Sequence, residues 1–307
     1  MSKKPKVGMW SGLTAVTAVL TAGAIVGTTV AFHYTTTVNN YLDADTYKII
    51  RGDSNEDTEY FKSDFTSDEE RESYEAELCA QVEAEGAALL KSDNNALPLA
   101  SGAKVSLFGH GSVDLMYGGT GSGSVDTSKA PNFKQALEDQ GIQVNSTLWD
   151  LYSSDDMMKN YSRITPAAIS DTLEANTQYA VNEAPWSKLS SAESSFADYG
   201  DAAIVVFSRS GGEGADLPSG ENGTNDSWIK GQEGDGNYLA LSAEEKELLQ
   251  NLKTLKDNGT FKKIIVLINS SNAIEMDFLN PEICGEDYGI DSAMWIGAVG
   301  QTVIHVV

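Results

Sequence analysis

The longest apolar stretch of the chain lies at its N-terminus and is followed by a polar, acidic stretch. Residues 9–32 carry no charged side chain and are rich in Ala, Val, Leu, Ile, Gly and Thr. A helix of that length spans a hydrocarbon core of roughly 30 Å with some tilt. Because Lys3, Lys4 and Lys6 precede it, the positive-inside rule predicts that residues 1–8 are cytoplasmic and that the chain after residue 32 is extracytoplasmic.

A cleaved signal peptide is the alternative explanation of the same segment. The apolar run is longer than a usual signal core, and the bulky residues Phe32, His33 and Tyr34 at its end make a poor cleavage site. We therefore predict an uncleaved, single-pass transmembrane anchor over residues 9–32, which places the protein in the cell membrane. Residues 33–67 are predicted to form an acidic linker.

Beyond the linker, apolar positions recur with helical and strand periods in alternation. Ser67-x-x-Glu70 is a capping box, and Tyr74, Leu78 and Val82 follow at helical spacing, which predicts a helix up to about Leu90. Further helices are predicted over Asn132–Gln140, from Thr165 through Leu173, and from Ser242 to Asn258. Short apolar runs predict strands over Lys104–Phe108, Ile142–Asn145, Ala202–Phe207, Lys263–Asn269 and Ala293–Ile296.

This alternation predicts an α/β fold for residues 68–307, namely a mostly parallel sheet sandwiched by helices in the manner of flavodoxin-like proteins. Ligands of such sheets bind outside the carboxyl ends of the strands. Two glycine-rich loops, one after Phe108 and one after Phe207, fall at that edge. The edge is therefore the predicted location of a functional site.

The charge of the chain limits its partners. The 307 residues carry a formal net charge of −24, and so acidic a protein repels phosphate backbones, which argues against nucleic acid as a partner. The charge does not argue against neutral ligands such as sugars. The three histidines and two cysteines are scattered along the chain, so we predict no metal site, no disulfide framework and no cofactor.

The first glycine-rich loop ends in Gly118-Gly119-Thr120-Gly121-Ser122-Gly123. The region lacks the third glycine of a dinucleotide-binding loop and the Gly-Lys-Ser/Thr of a P-loop, and it carries no basic residue to meet phosphate. A flexible turn and a backbone-lined wall of a ligand site are both compatible with this sequence.

The second loop contains the most informative stretch, Arg209-Ser210-Gly211-Gly212-Glu213-Gly214-Ala215-Asp216. Taken alone, Glu213 is more often a solvated loop acid than a catalyst. The loop is long, from about Ser208 to Asn237, and such loops in compact domains are usually functional or disordered. A carboxylate among glycines, just past a core strand, is suited to hold an acid beside a ligand.

Several segments together resemble the α/β-sandwich domain of family 3 glycoside hydrolases, the β-glucosidase and β-xylosidase group. Residues 85–99 are similar to that family's E-G-x-V-L-L-K-N…L-P-L segment, and residues 204–216 match its I-V-V-I-S-R-x-S-G-E-G-x-D segment. The remaining similar stretches are residues 105–109, the G-T-G-S-G loop within 118–123, the strand with its following polar residues at 264–277, and W-I-G-A-V-G-Q-T at 295–302.

The resemblance implies a retaining glycosidase, which uses two carboxyl groups about 5–5.5 Å apart. By its position in the motif, Glu213 is the implied general acid/base. The resemblance further implies that Arg209, Ser210 and Asp216 bind substrate, with Arg209 and Asp216 orienting the loop. The glycine-rich loop at Gly119, Thr120, Gly121 and Ser122 is expected to line the subsite for the leaving group. The implied substrate is a β-linked glucoside or xyloside.

The second carboxyl group, the nucleophile, comes in this family from a separate (β/α)8 barrel. A barrel typically needs about 250 residues, which a chain that also holds the sandwich does not accommodate, so we expect the sandwich to depend on a barrel outside this sequence. We further expect the sandwich to stand first after the anchor and to be truncated at its C-terminal end. The chain alone is then expected to be inactive. The alternative is a sandwich without catalysis that binds a carbohydrate or a partner domain.

Overall fold

The computed structural model describes residues 7–42, 61–119, 121–128, 130–164, 179–211 and 237–300. The helix predicted to start at Thr165 lies outside these residues. The chain divides into two compact units, Met1–Ser63 and Asp64–Val307, and each is described by itself.

In the first unit, helix α1 covers Val7–His33 and helix α2 covers Thr35–Tyr41. The stretch Trp10–His33 is long and apolar enough to cross a membrane, and a signal sequence at this position would meet the same criteria of length and composition. The threonines within α1 donate their hydroxyl groups to the carbonyls four residues earlier, as Thr14 does to Trp10 at 2.9 Å and Thr21 to Thr17 at 2.9 Å. Such bonds satisfy polar groups that hydrocarbon would leave without partners. Since α2 occupies residues of the predicted linker, the linker begins with a helix.

In the described part of the second unit, six strands form one sheet with the order β1-β6-β5-β4-β2-β3. In chain order they are β1 (Ala88–Ser92), β2 (Lys104–Phe108), β3 (Gln143–Val144), β4 (Ala202–Arg209), β5 (Ile264–Ser270) and β6 (Ser292–Trp295). All neighbouring pairs are parallel except β1 and β6. The predicted mostly parallel sheet is therefore confirmed, with one antiparallel strand at its edge.

Two α-helices in the described part of this unit are long, with 19 and 15 residues, and the others have seven residues or fewer. In chain order the helices are α3 (Asp68–Gly86), α4 (Phe133–Asp139), α5 (Ser146–Tyr152), α6 (Asp155–Asn160), α7 (Ala243–Asp257) and α8 (Pro281–Cys284). α4 and α7 confirm the sequence prediction to within a residue or two. α7 has the full capping box: the Glu245 N–H donates to Ser242 Oγ at 3.1 Å, and the Ser242 N–H donates to the Glu245 carboxylate at 2.8 Å.

The predicted continuation of the first helix to Leu90 is wrong. α3 ends at Gly86, Ala87 is extended, and β1 follows at once to pair with β6. Hydrogen bonding to a distant strand outweighs the local helical period here. Only half of the predicted capping box forms, because the Glu70 carboxylate accepts from the Thr66 N–H rather than from that of Ser67.

The two faces of the sheet bury alternate side chains of the same strands. Val205, Phe207 and Val266 belong to one apolar cluster, which includes residues of α5 and α7. Ile204, Val206 and Ile265 belong to the other, which includes residues of α4. The second face also contains an apolar cavity of about 280 Å³, lined by Leu97, Leu99, Leu137, Ile204, Leu267, Met294 and Val299 among others.

Candidate active site

Four parallel strands end at one edge of the sheet. Their last residues are Phe108 of β2, Arg209 of β4, Ser270 of β5 and Trp295 of β6. The glycine-rich turn after β2 and the Ser210-Gly211 stretch after β4 both leave from this edge. Side chains and backbone groups from separate parts of the sequence therefore meet where ligands of parallel sheets bind.

Asn269, the residue before the end of β5, fixes these segments relative to one another. Its buried side-chain oxygen accepts from Ser208 Oγ at 2.9 Å and from the Met116 N–H. Its amide nitrogen donates to the carbonyl oxygens of Met116 at 3.0 Å and Gly297 at 2.7 Å. The segments that follow β2 and β6 are thus hydrogen-bonded to one central side chain, which makes the edge a defined surface rather than a set of independent loops.

Arg209 ends β4, two residues beyond the predicted end of the strand, and its side chain is fully buried. Nη1 and Nη2 donate to the two carboxylate oxygens of Glu245, at 2.7 and 2.6 Å. The other donors reach the carbonyl oxygens of Tyr238 at 2.9 Å, Ser208 at 3.1 Å and Ala240 at 2.8 Å. All five guanidinium N–H groups are used inside the chain, so a direct bond from Arg209 to substrate would require one of these to break.

Tyr238 joins the two described ends of the segment 212–236. Its hydroxyl accepts from the Ser210 N–H at 3.0 Å and lies 3.1 Å from the Ser210 carbonyl oxygen, to which it donates. Its own carbonyl oxygen accepts from Arg209 Nε. We call Arg209, Tyr238 and Glu245 the loop-base cluster. Because of this cluster, the segment that contains Glu213 starts and finishes at the carboxyl end of β4.

The two glycine-rich loops lie next to each other. A Cβ atom placed on Gly119 would be 3.9 Å from the carbonyl oxygen of Gly211. Gly121 and Ser122 follow in a 3₁₀ turn, Gly121–Gly123. The structure therefore brings together the predicted site residues Gly119, Arg209 and Ser210, whereas Thr120, Glu213 and Asp216 lie outside the described residues and their roles stay predictions.

Asn272 is a residue of this edge that the sequence patterns did not single out. It follows β5 by two positions, and Ser270 Oγ holds its backbone by accepting from the Asn272 N–H at 3.1 Å and donating to the Asn272 carbonyl at 3.0 Å. A Cβ on Gly211 would lie 2.7 Å from the Asn272 side-chain amide, so any larger residue at position 211 would require the amide to move. The Asn272 Nδ2 atom is buried and has no hydrogen-bond acceptor among the described residues.

Glu183 is a second residue that no motif indicated. Its buried carboxyl oxygens accept from the backbone N–H groups of His110 at 2.7 Å and Ala184 at 3.0 Å. Burial raises the pKa of Glu183 to about 8, and the negative charge of Glu245 adds to the rise. Glu183 therefore holds the start of the turn after β2, with a carboxyl that titrates near neutrality.

The same turn is also held by a polar group of three residues, His110, Asp114 and Arg163. His110 Nε2 lies 2.9 Å from the Asp114 carboxylate, and Arg163 Nη2 lies 3.5 Å from it. Burial raises the pKa of Asp114, but the hydrogen bond from His110 and the charge of Arg163 outweigh it and hold that pKa below its ordinary value. In the described part of the chain, no cluster of three or more His, Cys, Asp and Glu side chains could hold a metal ion.

Comparison with known proteins identifies the family of the second unit. Residues 87–305 match the model of the "Glycosyl hydrolase family 3 C-terminal domain". Among curated proteins, a β-glucosidase from Ruminococcus albus is 28% identical over 229 residues, covering 74% of this chain and 20% of its own length. β-Glucosidase A from Butyrivibrio fibrisolvens is 30% identical over 216 residues, covering 65% of this chain and 23% of its own.

Solved structures give the same result for the fold. A β-glucosidase from Paenibacillus barengoltzii superposes with a TM-score of 0.52 at 26% identity and covers 74% of this chain and 21% of its own. β-Glucosidase 3B from Thermotoga neapolitana in complex with glucose superposes with a TM-score of 0.51 at 22% identity, over 75% of this chain and 28% of its own. The chain thus spans between 20% and 28% of the length of these four proteins.

Proposed function

Because the chain belongs to glycosyl hydrolase family 3, of which it carries the C-terminal domain, we propose that it supplies the general acid/base of a β-glucosidase-like enzyme. The proposed substrate is a β-linked glucoside or xyloside. Two relatives named as β-glucosidases support that class of substrate.

The loop-base cluster is the observation that carries the proposal. It returns the segment 212–236 to the carboxyl end of β4, beside the glycine-rich loop at Gly119. Because two residues span at most about 7 Å, a carboxyl group two residues beyond Gly211 can reach the edge of the sheet where a ligand would bind, which supports the proposal. Glu213 is the carboxyl group that occupies this position in the sequence.

In the proposed reaction, the protonated Glu213 carboxyl donates its proton to the glycosidic oxygen while a nucleophilic carboxylate attacks the anomeric carbon. The Glu213 carboxylate then removes a proton from water, which hydrolyses the covalent glycosyl intermediate. The two steps require a pKa near the working pH, since the same group first gives and then takes a proton.

The nucleophile is proposed to come from a (β/α)8 barrel, either in a further part of the same protein or in a separate chain. Without it, the covalent intermediate cannot form, and these 307 residues alone should hydrolyse aryl β-glucosides no faster than a buffer blank. We also propose that α1 anchors the protein in the cell membrane with the second unit outside the cytoplasm, which the apolar length of Trp10–His33 supports.

The decisive experiment is to combine the chain with its barrel and replace Glu213 by Gln. The kcat for β-glucosides should fall by roughly 10²–10⁴, the usual loss when a general acid/base is removed. Added azide should restore turnover and release a β-glycosyl azide from substrates with a good leaving group, since azide attacks the glycosyl intermediate without a general base.

Glu221→Gln provides a matched control, because it removes another carboxylate from the same segment 212–236. This variant should keep the wild-type kcat. Equal activity of Glu213→Gln and wild type would refute the assignment of Glu213. Sugar binding without any turnover of the combined protein would instead favour the non-catalytic module.

A further inference from the structure

The side-chain amide of Asn272 is an unexplained polar group at the proposed site. Its Nδ2 atom is buried and finds no acceptor among the described residues. A buried donor without a partner costs free energy, because the group has lost its hydrogen bonds to water without a replacement. Such groups in folded proteins call for an explanation, and a catalytic or binding role is one of the recognised explanations.

The surrounding chain holds the Asn272 amide in place instead of letting it turn to water. Ser270 Oγ bonds both the N–H and the carbonyl of Asn272, which fixes the backbone two residues beyond β5. The Gly211 backbone packs so closely on the amide that a Cβ there would lie 2.7 Å from both its oxygen and its nitrogen. Residues at the ends of two separate strands, β4 and β5, therefore define the position of the amide.

The chemistry around the amide suits a neutral ligand that carries hydroxyl groups. Gly119 and Gly211, which adjoin each other, present backbone rather than side chains, and the nearby charges of Arg209 and Glu245 are paired and buried. A neutral amide N–H binds a ligand only where that ligand presents an acceptor, such as a hydroxyl oxygen. Glycine at position 211 also lets the backbone over the amide rotate without a side-chain clash.

We propose that Asn272 Nδ2 donates a hydrogen bond to a hydroxyl group of the leaving group, and that the enzyme therefore prefers a sugar as leaving group. This inference rests on the proposed function and adds to it the class of leaving group. The substrate is then a β-linked disaccharide or longer oligosaccharide in preference to an aryl glucoside, whose phenol ring offers no hydroxyl at that place.

The test compares two substrates with the chain combined with its barrel. For Asn272→Ala, kcat/KM for cellobiose should fall by about 10–100-fold, the range for one hydrogen bond to a substrate group, while kcat/KM for 4-nitrophenyl β-glucoside changes less than about threefold. Ser271→Ala is the matched control, since it alters the neighbouring exposed side chain, and it should change neither. Equal losses on both substrates, or no loss on either, would overturn the inference.

A binding measurement separates this inference from the proposed function. In saturation-transfer NMR with the full chain in detergent, the reducing-end protons of cellobiose should give a signal that drops at least about fivefold in Asn272→Ala and persists in Ser271→Ala. This result together with an inactive wild-type complex would refute the catalytic proposal and retain the sugar contact. An active complex with an unchanged signal in Asn272→Ala, or a wild-type chain that gives no signal at all, would refute the contact.

Discussion

Arg209 and Glu245 form an ion pair in which both side chains are removed from water, at 0% and 1% exposure. Burial lowers the pKa of Arg209, but the charge and hydrogen bonds of Glu245 outweigh it, so the pKa of Arg209 is raised and the guanidinium stays protonated. A buried pair of this kind tolerates the loss of one partner poorly, because the other charge is then left without compensation.

Replacing Arg209 by Met should therefore lower the free energy of unfolding by about 3–5 kcal/mol. The reference is Lys262→Met, which breaks the surface ion pair between Lys262 and Asp201 and should cost about 0–1 kcal/mol. Urea unfolding of the full chain in detergent, followed by tryptophan fluorescence, measures both. If the two variants lose equal stability, the loop-base cluster does not hold its segment as described.

Glu183 makes the stability of the fold depend on pH. Its pKa rises from the ordinary 4.5 to about 8 through burial, so between these values the folded chain holds a proton that the unfolded chain has lost. The stabilising contribution is complete below pH 4.5 and disappears as the pH rises through 8. The charged groups that act on Glu183 are Glu245, which raises its pKa, and Arg209, which lowers it.

Glu183→Gln cannot titrate, so its stability relative to wild type should rise between pH 5 and 8 by about 1.4 kcal/mol per pH unit. The slope is the relevant quantity, since Gln also changes the hydrogen bonds to His110 and Ala184 by an amount that does not depend on pH. Unfolding curves at several pH values measure it, with the exposed Glu193→Gln as the control for charge removal. Parallel curves for wild type and Glu183→Gln would contradict this account.

At the scale of elements, the turn after β2 packs closely against β4. Gly109 has a φ of +83°, and a Cβ there would lie 2.7 Å from the carbonyl oxygen of Val206. Gly102 has a similar φ of +76° but open space around its Cβ position. Gly102 therefore reports the cost of a positive φ without a clash, whereas Gly109, with a ψ of 140°, combines backbone strain outside the left-handed region with a clash between elements.

Gly102→Ala should cost about 1–2 kcal/mol of backbone strain, and Gly109→Ala should cost about 1–3 kcal/mol more, because its φ and ψ are less accessible to alanine and because the turn has to move off β4. Thermal or urea unfolding of the two variants gives the difference directly. If Gly109→Ala is no worse than Gly102→Ala, the close contact between the turn and β4 is not maintained in solution.

The sequence predicts the elements whose signals are local. Asn132 and Ser242 cap α4 and α7, and the apolar runs of β4 and β5 are continuous, so their positions agree with the structure. The sequence does not predict β1, because its partner strand β6 lies at the far end of the chain, with Trp295 opposite Ala88. The site divides in the same way. The motif points to Arg209, but its partners Tyr238, Ala240 and Glu245 come from after the long segment. Glu183 belongs to no motif, and Asn272 lies in the similar stretch 264–277 without being marked out there as a site residue.

At the scale of the whole molecule, α1 decides where the second unit works. Its apolar stretch Trp10–His33 meets the length and composition criteria for a membrane span, and a signal sequence would also meet them. The poor cleavage site at Phe32-His33-Tyr34 is the reason to expect an anchor. The proposed anchor would hold the protein at the surface of the cell, and any sugar released there would be set free beside the membrane.

Expression in a bacterial host should thus give a chain of full length that stays in the membrane pellet after carbonate extraction. Added protease should digest the second unit in spheroplasts without breaking the inner membrane, which reports its orientation. A soluble product whose mass lacks about the first 33 residues would show cleavage and refute the anchor. A chain protected from protease until lysis would refute the orientation.

The antiparallel pair of β1 and β6 also sets the timing of folding during synthesis. β6 lies between β1 and β5 in the sheet, yet it is made roughly 200 residues after β1, since Ala88 pairs with Trp295. At about 5–20 residues per second, β1 waits on the order of 10–40 s for its partner. During that interval the nascent chain exposes an unpaired strand with Leu89 and Leu90 in it, and an unpaired strand of this kind is a template for pairing with another chain.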